Sequence, residues 1–168
     1  MSGDDPVILV VDDSETDALL MELVFERAGA GRPLQYARDG ESAIAYLDGT
    51  GAYRDRARFP MPEVVLLDLN MPRIDGFEVL AWIRRQPALE RLPVYILTAS
   101  SRSEDIDRAY RIGASSYLVK PSNLNGLMRM ADDLLTWLRP LRALPVAASQ
   151  PATLTTDEAP ARSTHATD

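Results

Sequence analysis

The chain has 168 residues, a formal net charge of −7 at neutral pH and no cysteine. That length holds one domain of ordinary size with a real core, and the missing thiols exclude disulfide frameworks, thiolate metal sites and cysteine nucleophiles. An acidic surface repels nucleic acid and anionic membranes; no apolar stretch nears the roughly 18 residues of a membrane span and the first residues lack a basic signal-peptide start, so a cytoplasmic protein is expected.

Residues 1–6 read as a short lead into the folded part. Val7-Ile8-Leu9-Val10-Val11 is apolar at consecutive positions, the habit of a strand buried on both faces of a parallel sheet, and it ends in Asp12-Asp13. Ser14-Glu15-Thr16-Asp17 offers helix-start residues. Leu20, Met21, Val24 and Ala28 then recur at helical spacing over about 17–28, and Gly29-Ala30-Gly31 closes the helix. A short strand is expected over 34–37, and Asp39-Gly40-Glu41 opens a second helix running to about Leu47. The break over 49–62 is longer than the usual connection of this kind and rich in Gly, Pro and Arg. Arg54, Arg56 and Arg58 make it locally basic; a solvated surface loop is favoured over a docking patch for an acidic partner.

The stretch around which the chain is organised is Val64-Val65-Leu66-Leu67-Asp68-Leu69-Asn70-Met71-Pro72, a second fully apolar strand that ends in a carboxylate. Pro72 cannot continue a ladder and Asp75-Gly76 is turn chemistry, so Asp68 falls where the strand leaves the sheet. A helix follows over 76–86, with Phe77, Leu80, Ala81 and either Trp82 or Ile83 on its apolar face, until Pro87 halts it. Residues 93–97 form a fourth strand ending at Thr98. Ser103-Glu104-Asp105 caps a fourth helix with a narrow stripe of Ile106, Ala109 and Tyr110. Residues 117–119 form a fifth strand ending at Lys120-Pro121, and Leu124, Leu127, Met128, Ala131, Leu134, Leu135 and Leu138 mark a long amphipathic helix. Residues 144–168, rich in Ala, Pro, Ser and Thr, are expected to be a disordered tail. The single histidine, His165, lies in that tail, so no histidine chemistry belongs to the domain.

Strand and helix alternate five times, which predicts an α/β fold with a five-stranded parallel sheet. Right-handed crossovers then bring Asp12, Asp13, Asp68, Thr98 and Lys120 to one edge of the domain, where open α/β sheets bind ligands. In the flavodoxin-like order 2-1-3-4-5, the first and third strands are neighbours and their three carboxylates come close together. At about 4 Å and an effective dielectric near 20, each such pair costs roughly 4 kcal/mol. A bound divalent cation removes that strain, and oxygen ligands without His or Cys point to a hard ion, Mg²⁺ before Mn²⁺. Lys120 is the one lysine among 18 basic residues, in keeping with a site that needs a compact point charge on a flexible stem. Carboxylates, a metal, an ammonium and the Thr98 hydroxyl together make a cradle for a phosphoryl group, with Asp68 the best-placed nucleophile.

Asp12-Asp13, Asp68-Leu69-Asn70-Met71-Pro72 with Asp75-Gly76 behind it, Thr98-Ala99 and Lys120-Pro121 resemble, at these spacings, the receiver domain of two-component response regulators. The resemblance covers about Val7 to Leu138; the receiver domain is taken as residues 7–143, with 49–62 an elongated loop within it. It implies that Asp68 accepts a phosphoryl group from a phosphohistidine on a sensor histidine kinase. It also implies that Asp13, Asp68 and the Asn70 carbonyl ligate Mg²⁺, with Asp12 acting through water, and that Lys120-Pro121 is a cis peptide. Tyr117 matches the family's switch aromatic, which moves inward when the Thr98 hydroxyl shifts toward the phosphoryl group, and Asn70 and Ser100 match positions that tune rates.

A finer likeness is to single-domain regulators paired with phytochrome-type sensor kinases. The shared features are the long 49–62 loop, the run Leu66-Leu67-Asp68-Leu69-Asn70, and Ala88-Leu89-Glu90-Arg91-Leu92-Pro93 leading into the fourth strand, although Asp12 stands where many such proteins carry Glu. The likeness implies a homodimer through the face of the fourth helix, fifth strand and fifth helix. The protein expected is a phosphoacceptor that assists its own phosphotransfer and dephosphorylation rather than an enzyme, signalling by protein contact without nucleic acid or membrane. Two alternatives are a Mg²⁺-dependent phosphohydrolase of the haloacid dehalogenase type, disfavoured by Ser14 at the second position of its Asp-x-Asp pattern, and a pseudo-receiver that works unphosphorylated.

Overall fold

The computed structural model describes residues 5–143. The expectations for residues 1–4, for the tail over 144–168 and for His165 lie outside the described residues. Five strands, β1 (Ile8–Val11), β2 (Gln35–Ala37), β3 (Val64–Leu67), β4 (Val94–Thr98) and β5 (Ser116–Val119), form one parallel sheet in the order β2-β1-β3-β4-β5. The order expected from the sequence is the order found. Five helices connect and follow the strands: α1 (Glu15–Arg27), α2 (Gly40–Asp48), α3 (Gly76–Arg85), α4 (Ser103–Ile112) and α5 (Leu124–Ala143).

The consecutive apolar runs are explained by what covers the sheet. Val64 and Leu66 of β3, with Ile8 and Val10 of β1, pack under α1 and α5 through Phe25, Val24, Leu134 and Leu135. Val65 and Leu67, with Leu9 and Val11, pack on the opposite face under α2, α3 and α4 through Tyr46, Leu80, Ile83 and Ala109. Successive strand residues point to opposite faces, so a strand covered on both sides must be apolar at every position. On α3 it is Ile83, not Trp82, that is fully buried. On α4 the expected stripe narrows to Ala109, because Tyr110 stands half exposed.

Local chemistry sets the helix starts and the loops that frame the functional rim. Ser14, Asp39 and Asp75 cap α1, α2 and α3 with side chains that accept from Asp17 N, Ser42 N and Glu78 N, and Glu78 returns the bond to Asp75 N as a capping box. The cap of α4 differs from expectation. Arg102 precedes it without a side-chain bond, and Ser100 is the residue whose hydroxyl pairs with Asp105 across the first turn, at 2.6 Å.

The 49–62 segment is more ordered than a solvated loop. It begins at Gly49, which ends α2 with a φ of 69°, and carries a single 3-10 turn over Gly51–Tyr53. Tyr53 and Phe59 pack ring to ring with buried Tyr46, and the Tyr46 hydroxyl donates to Pro60 O at 2.8 Å. Arg56 donates to Tyr46 O and Leu47 O at 2.8 and 2.9 Å, satisfying carbonyls that the end of α2 leaves open. Arg56 therefore serves the fold, and only Arg54 and Arg58 remain turned to solvent.

No helix among the described residues is long and apolar enough to cross a membrane. At the end of the sheet away from the strand C-termini, Asp5 ties three segments together. Its buried carboxylate pairs with Arg139 of α5 at 2.8 Å and accepts from Gly31 N, while Arg139 also donates to Gly29 O at 2.9 Å. The Arg139 guanidinium holds the Asp5 carboxyl below the ordinary aspartate range, with burial opposing it and the Gly31 bond assisting. A lowered carboxylate stabilises the fold above its unfolded pKa and loses that contribution as pH falls through the folded value. Asp5→Asn is accordingly expected to lower stability by about 1–2 kcal/mol at neutral pH, since Arg139 is partly solvated. The deficit should shrink below about pH 4 in denaturant titrations; a deficit independent of pH would mean that the ion pair is not its source.

Candidate functional site

The sheet itself delivers the site residues to one edge. Asp68 N donates to Val11 O at 3.0 Å, Asp12 N to Ala37 O at 3.1 Å and Lys120 N to Thr98 O at 2.8 Å, so each strand end is pinned to its neighbour by the last rung of a ladder. Val11 stands opposite Leu67, which places the carboxylates that follow them side by side. Oxygens of Asp12, Asp13 and Asp68 lie within 4.8 Å of one another; Asp12 and Asp68 are buried and Asp13 is exposed.

Lys120 reaches into this cluster from β5. Its ammonium lies 2.5 Å from Asp12 Oδ2, 3.0 Å from Asp17 Oδ2 on α1 and 3.8 Å from Asp68 Oδ2. Burial raises the Asp12 pKa, against the pull of the Lys120 ammonium and of Ser14 N, which donates to Asp12 Oδ1 at 2.9 Å. Burial alone would lower the Lys120 pKa. The hydrogen bonds to Asp12 and Asp17 and the charge of Asp68 outweigh it, and the ammonium is held above its ordinary range. One ammonium cannot neutralise these carboxylates. The donor set fits a hard divalent cation: it is all oxygen, negatively charged, and open to solvent on the Asp13 side.

The loop after β3 is fixed from several directions. Gly76 N donates to Leu69 O at 3.0 Å, and a Cβ at Gly76 would stand 2.2 Å from Asp68 O, so only glycine allows the chain to pass so close behind the site. Arg73 adopts a φ of 66°, a left-handed conformation unusual outside glycine, and its guanidinium pairs with Asp39 at 2.8 Å. Between these anchors Asn70 lies exposed at the rim, its side-chain amide donating to Thr98 Oγ1 at 3.4 Å. Thr98 is fully buried, and its hydroxyl also accepts from Ser100 N at 3.5 Å. Half-buried Tyr117 donates from its hydroxyl to Ser100 O at 3.0 Å. A chain of contacts thus runs from the Asp68 rim through Thr98 and Ser100 to Tyr117.

Asp12, Asp13, Asp68, Asn70, Thr98 and Lys120 therefore meet as the sequence predicts, with Tyr117 one step removed. One point differs. Lys120-Pro121 was expected to be cis, but there is no cis peptide among the described residues; the bond is trans, the form that prolyl bonds prefer when nothing forces the other. The two shortest contacts of Lys120 are Asp12 and Asp17, and its ammonium remains 3.8 Å from Asp68 Oδ2. Asp17 was not singled out from the sequence. Its signal was its place in the first turn of a helix that starts at the same rim as the acid pair.

The response regulator receiver domain family matches residues 8–132. Response regulator Rcp1 of Synechocystis sp. is 38% identical over 141 residues, spanning 84% of this chain and 94% of Rcp1. The structure of the phosphorylated cyanobacterial phytochrome response regulator RcpA superposes with a TM-score of 0.73 at 32% identity, covering 80% of this chain and 94% of that one. The Mn²⁺-bound form of Rcp1 gives 0.71 at 39% identity, covering 79% and 94%. With a match across most of its length, this chain belongs to the response regulator receiver family, and its likeness runs to the single-domain phytochrome regulators.

The crowded carboxylates set an expectation for stability. Without divalent cations, Asp13→Asn should melt a few degrees above wild type, because it removes one repelling charge without disturbing the core. Millimolar Mg²⁺ should raise the wild-type Tm and abolish or reverse the difference, as scanning calorimetry would show. A wild-type Tm indifferent to Mg²⁺ would contradict the cation reading.

Proposed function

We propose that this protein is a single-domain response regulator of a two-component system, its receiver spanning residues 7–143, in which Asp68 accepts a phosphoryl group from a sensor histidine kinase. The observation that carries this reading is the convergence of Asp12, Asp13 and Asp68 with Thr98 and Lys120 on one sheet edge. A carboxylate oxygen of Asp68 bonds to phosphorus as the P–N bond of the phosphohistidine breaks and its electron pair returns to the imidazole. The product is an acyl phosphate, and the domain acts as a phosphoacceptor that assists its own phosphorylation and dephosphorylation rather than as an enzyme.

Asp13, Asp68 and the Asn70 carbonyl are the groups to hold Mg²⁺, with Asp12 acting through water, and the ion would neutralise charge on the phosphoryl oxygens. Lys120 supplies a point charge and the Thr98 hydroxyl a donor at the remaining oxygens. Movement of Thr98 toward the phosphoryl group would take the hydroxyl away from Ser100 N and Asn70, loosening the segment whose Ser100 carbonyl holds Tyr117. That is how a charge event at Asp68 would reach the α4–β5–α5 surface.

Output through protein contact in the cytoplasm fits a chain with a net charge of −7, whose overall field repels nucleic acid. The likeness to Rcp1 and RcpA supports a phytochrome-type kinase as partner. The α4–β5–α5 face also suits a homodimer. Tyr110, Val119 and Leu124 are exposed there, and Trp137 is 58% exposed. Trp137→Ala is expected to shift sedimentation toward monomer by about tenfold or more in dimer Kd, the loss typical of a buried aromatic anchor; an unchanged profile would place the interface elsewhere.

The phosphoryl reading is tested by incubation with an autophosphorylated, radiolabelled phytochrome-type kinase. Label should pass to wild type and not to Asp68→Asn, with both proteins folded by circular dichroism. Equal labelling of the variant would remove Asp68 from its role.

A further inference from the structure

Asp12 carries two obligations. It is a member of the acidic cluster, and it is the shortest partner of the Lys120 ammonium, at 2.5 Å. A cation in the cluster draws on the charge of Asp12, so the Asp12–Lys120 bond weakens when the metal enters. With Asp68 in the same cluster, a lysine whose partners were only these two would compete with the metal or swing away from the rim.

Asp17 lies outside the cluster and still touches the ammonium, at 3.0 Å. Its position is fixed: it is the third residue of α1, and its backbone N–H is taken by the Ser14 hydroxyl that caps the helix. A cavity of about 170 Å³, lined by Asp17, Lys120, Leu20, Met21 and Leu127 among others, gives the lysine stem room on the α1 side. An ammonium has three donors, so one shared with Asp17 leaves others for the rim.

We propose that Asp17 is a positioning residue that holds the Lys120 ammonium beside the acidic cluster once a divalent cation draws on Asp12 through its bound water, keeping a donor directed at the incoming phosphoryl group. The inference rests on the metal-assisted phosphoacceptor reading given above. It assigns to α1 a part in the chemistry that the strand-end residues alone do not supply.

Lys120 is the only lysine in the chain, so protein grown with lysine labelled at ¹³Cε shows one side-chain signal from the folded site without assignment. In wild type saturated with Mg²⁺, that methylene should stay motionally restricted. In Asp17→Asn, whose backbone cap is unaltered, it should become mobile on Mg²⁺ addition. The acetyl phosphate concentration giving half-maximal labelling of Asp68 should rise about three- to tenfold, the loss of one partly solvated charge-assisted bond. Asp17→Glu should recover most of both effects. Glu15→Gln removes a charge from the same helical turn and should match wild type, because Glu15 pairs with Arg38 and not with Lys120.

Restricted lysine motion and unchanged half-saturation in Asp17→Asn would overturn the proposal while leaving the phosphoacceptor reading intact. Equal effects from Glu15→Gln would overturn it too, by reducing Asp17 to a contribution to the general field. Failure of wild type to bind Mg²⁺ at all would overturn the metal reading, and this inference with it.

Discussion

Mutual repulsion among Asp12, Asp13 and Asp68 is the constraint on which the rest of the molecule depends. Their oxygens are held within 4.8 Å of one another by strands that cannot separate, because β1 and β3 are hydrogen-bonded along their length and buried on both faces. At an effective dielectric near 20, each pair of charges at such a distance costs roughly 3–4 kcal/mol, a sizeable share of the about 5–15 kcal/mol by which a domain is stable. A two-layered core is what makes that cost tolerable. The repulsion is also the source of the function proposed, since a site that resists its own charge favours a cation and, with the cation, a phosphoryl group.

Rigid and adjustable parts divide cleanly around this constraint. The backbone ladder fixes Asp12, Asp68, Thr98 and Lys120, and Gly76 and the Arg73–Asp39 pair fix the loop that carries Asn70. The links beyond the rim are longer and fewer. Thr98 meets Ser100 N at 3.5 Å and Asn70 at 3.4 Å, and Tyr117 is held through one bond to Ser100 O. Weak bonds between the hydroxyl that would sense the phosphoryl group and the aromatic that would report it are suited to switching, because small energies can exchange them.

The central strands and the residues that end them were legible because burial on both faces writes itself as unbroken apolar runs, as in Val64 to Leu67, and because each such run stops at a polar residue. Parallel connections then leave little freedom in where those residues meet. What could not be read depends on side chains reaching across the fold. Arg56 looked like one of three loop cations and closes the end of α2; Arg84, not singled out from the sequence, binds the Gly113 and Leu92 carbonyls at 2.8 and 2.9 Å. Asp17 looked like an ordinary first-turn acid, and its contact with Lys120 spans 103 positions. No local pattern encodes such a pairing. The trans geometry of Lys120-Pro121 was likewise invisible, since sequence permits either isomer and the family likeness pointed to the other.

In the function proposed, metal and acid cluster together make Asp68 a phosphoacceptor. Intact-mass measurement of the protein after incubation with acetyl phosphate, with and without Mg²⁺, tests it without requiring a partner. One added phosphoryl group is expected on wild type only when Mg²⁺ is present, and none on Asp68→Asn. Labelling of wild type without divalent cations, or no labelling of folded wild type with Mg²⁺, would contradict it.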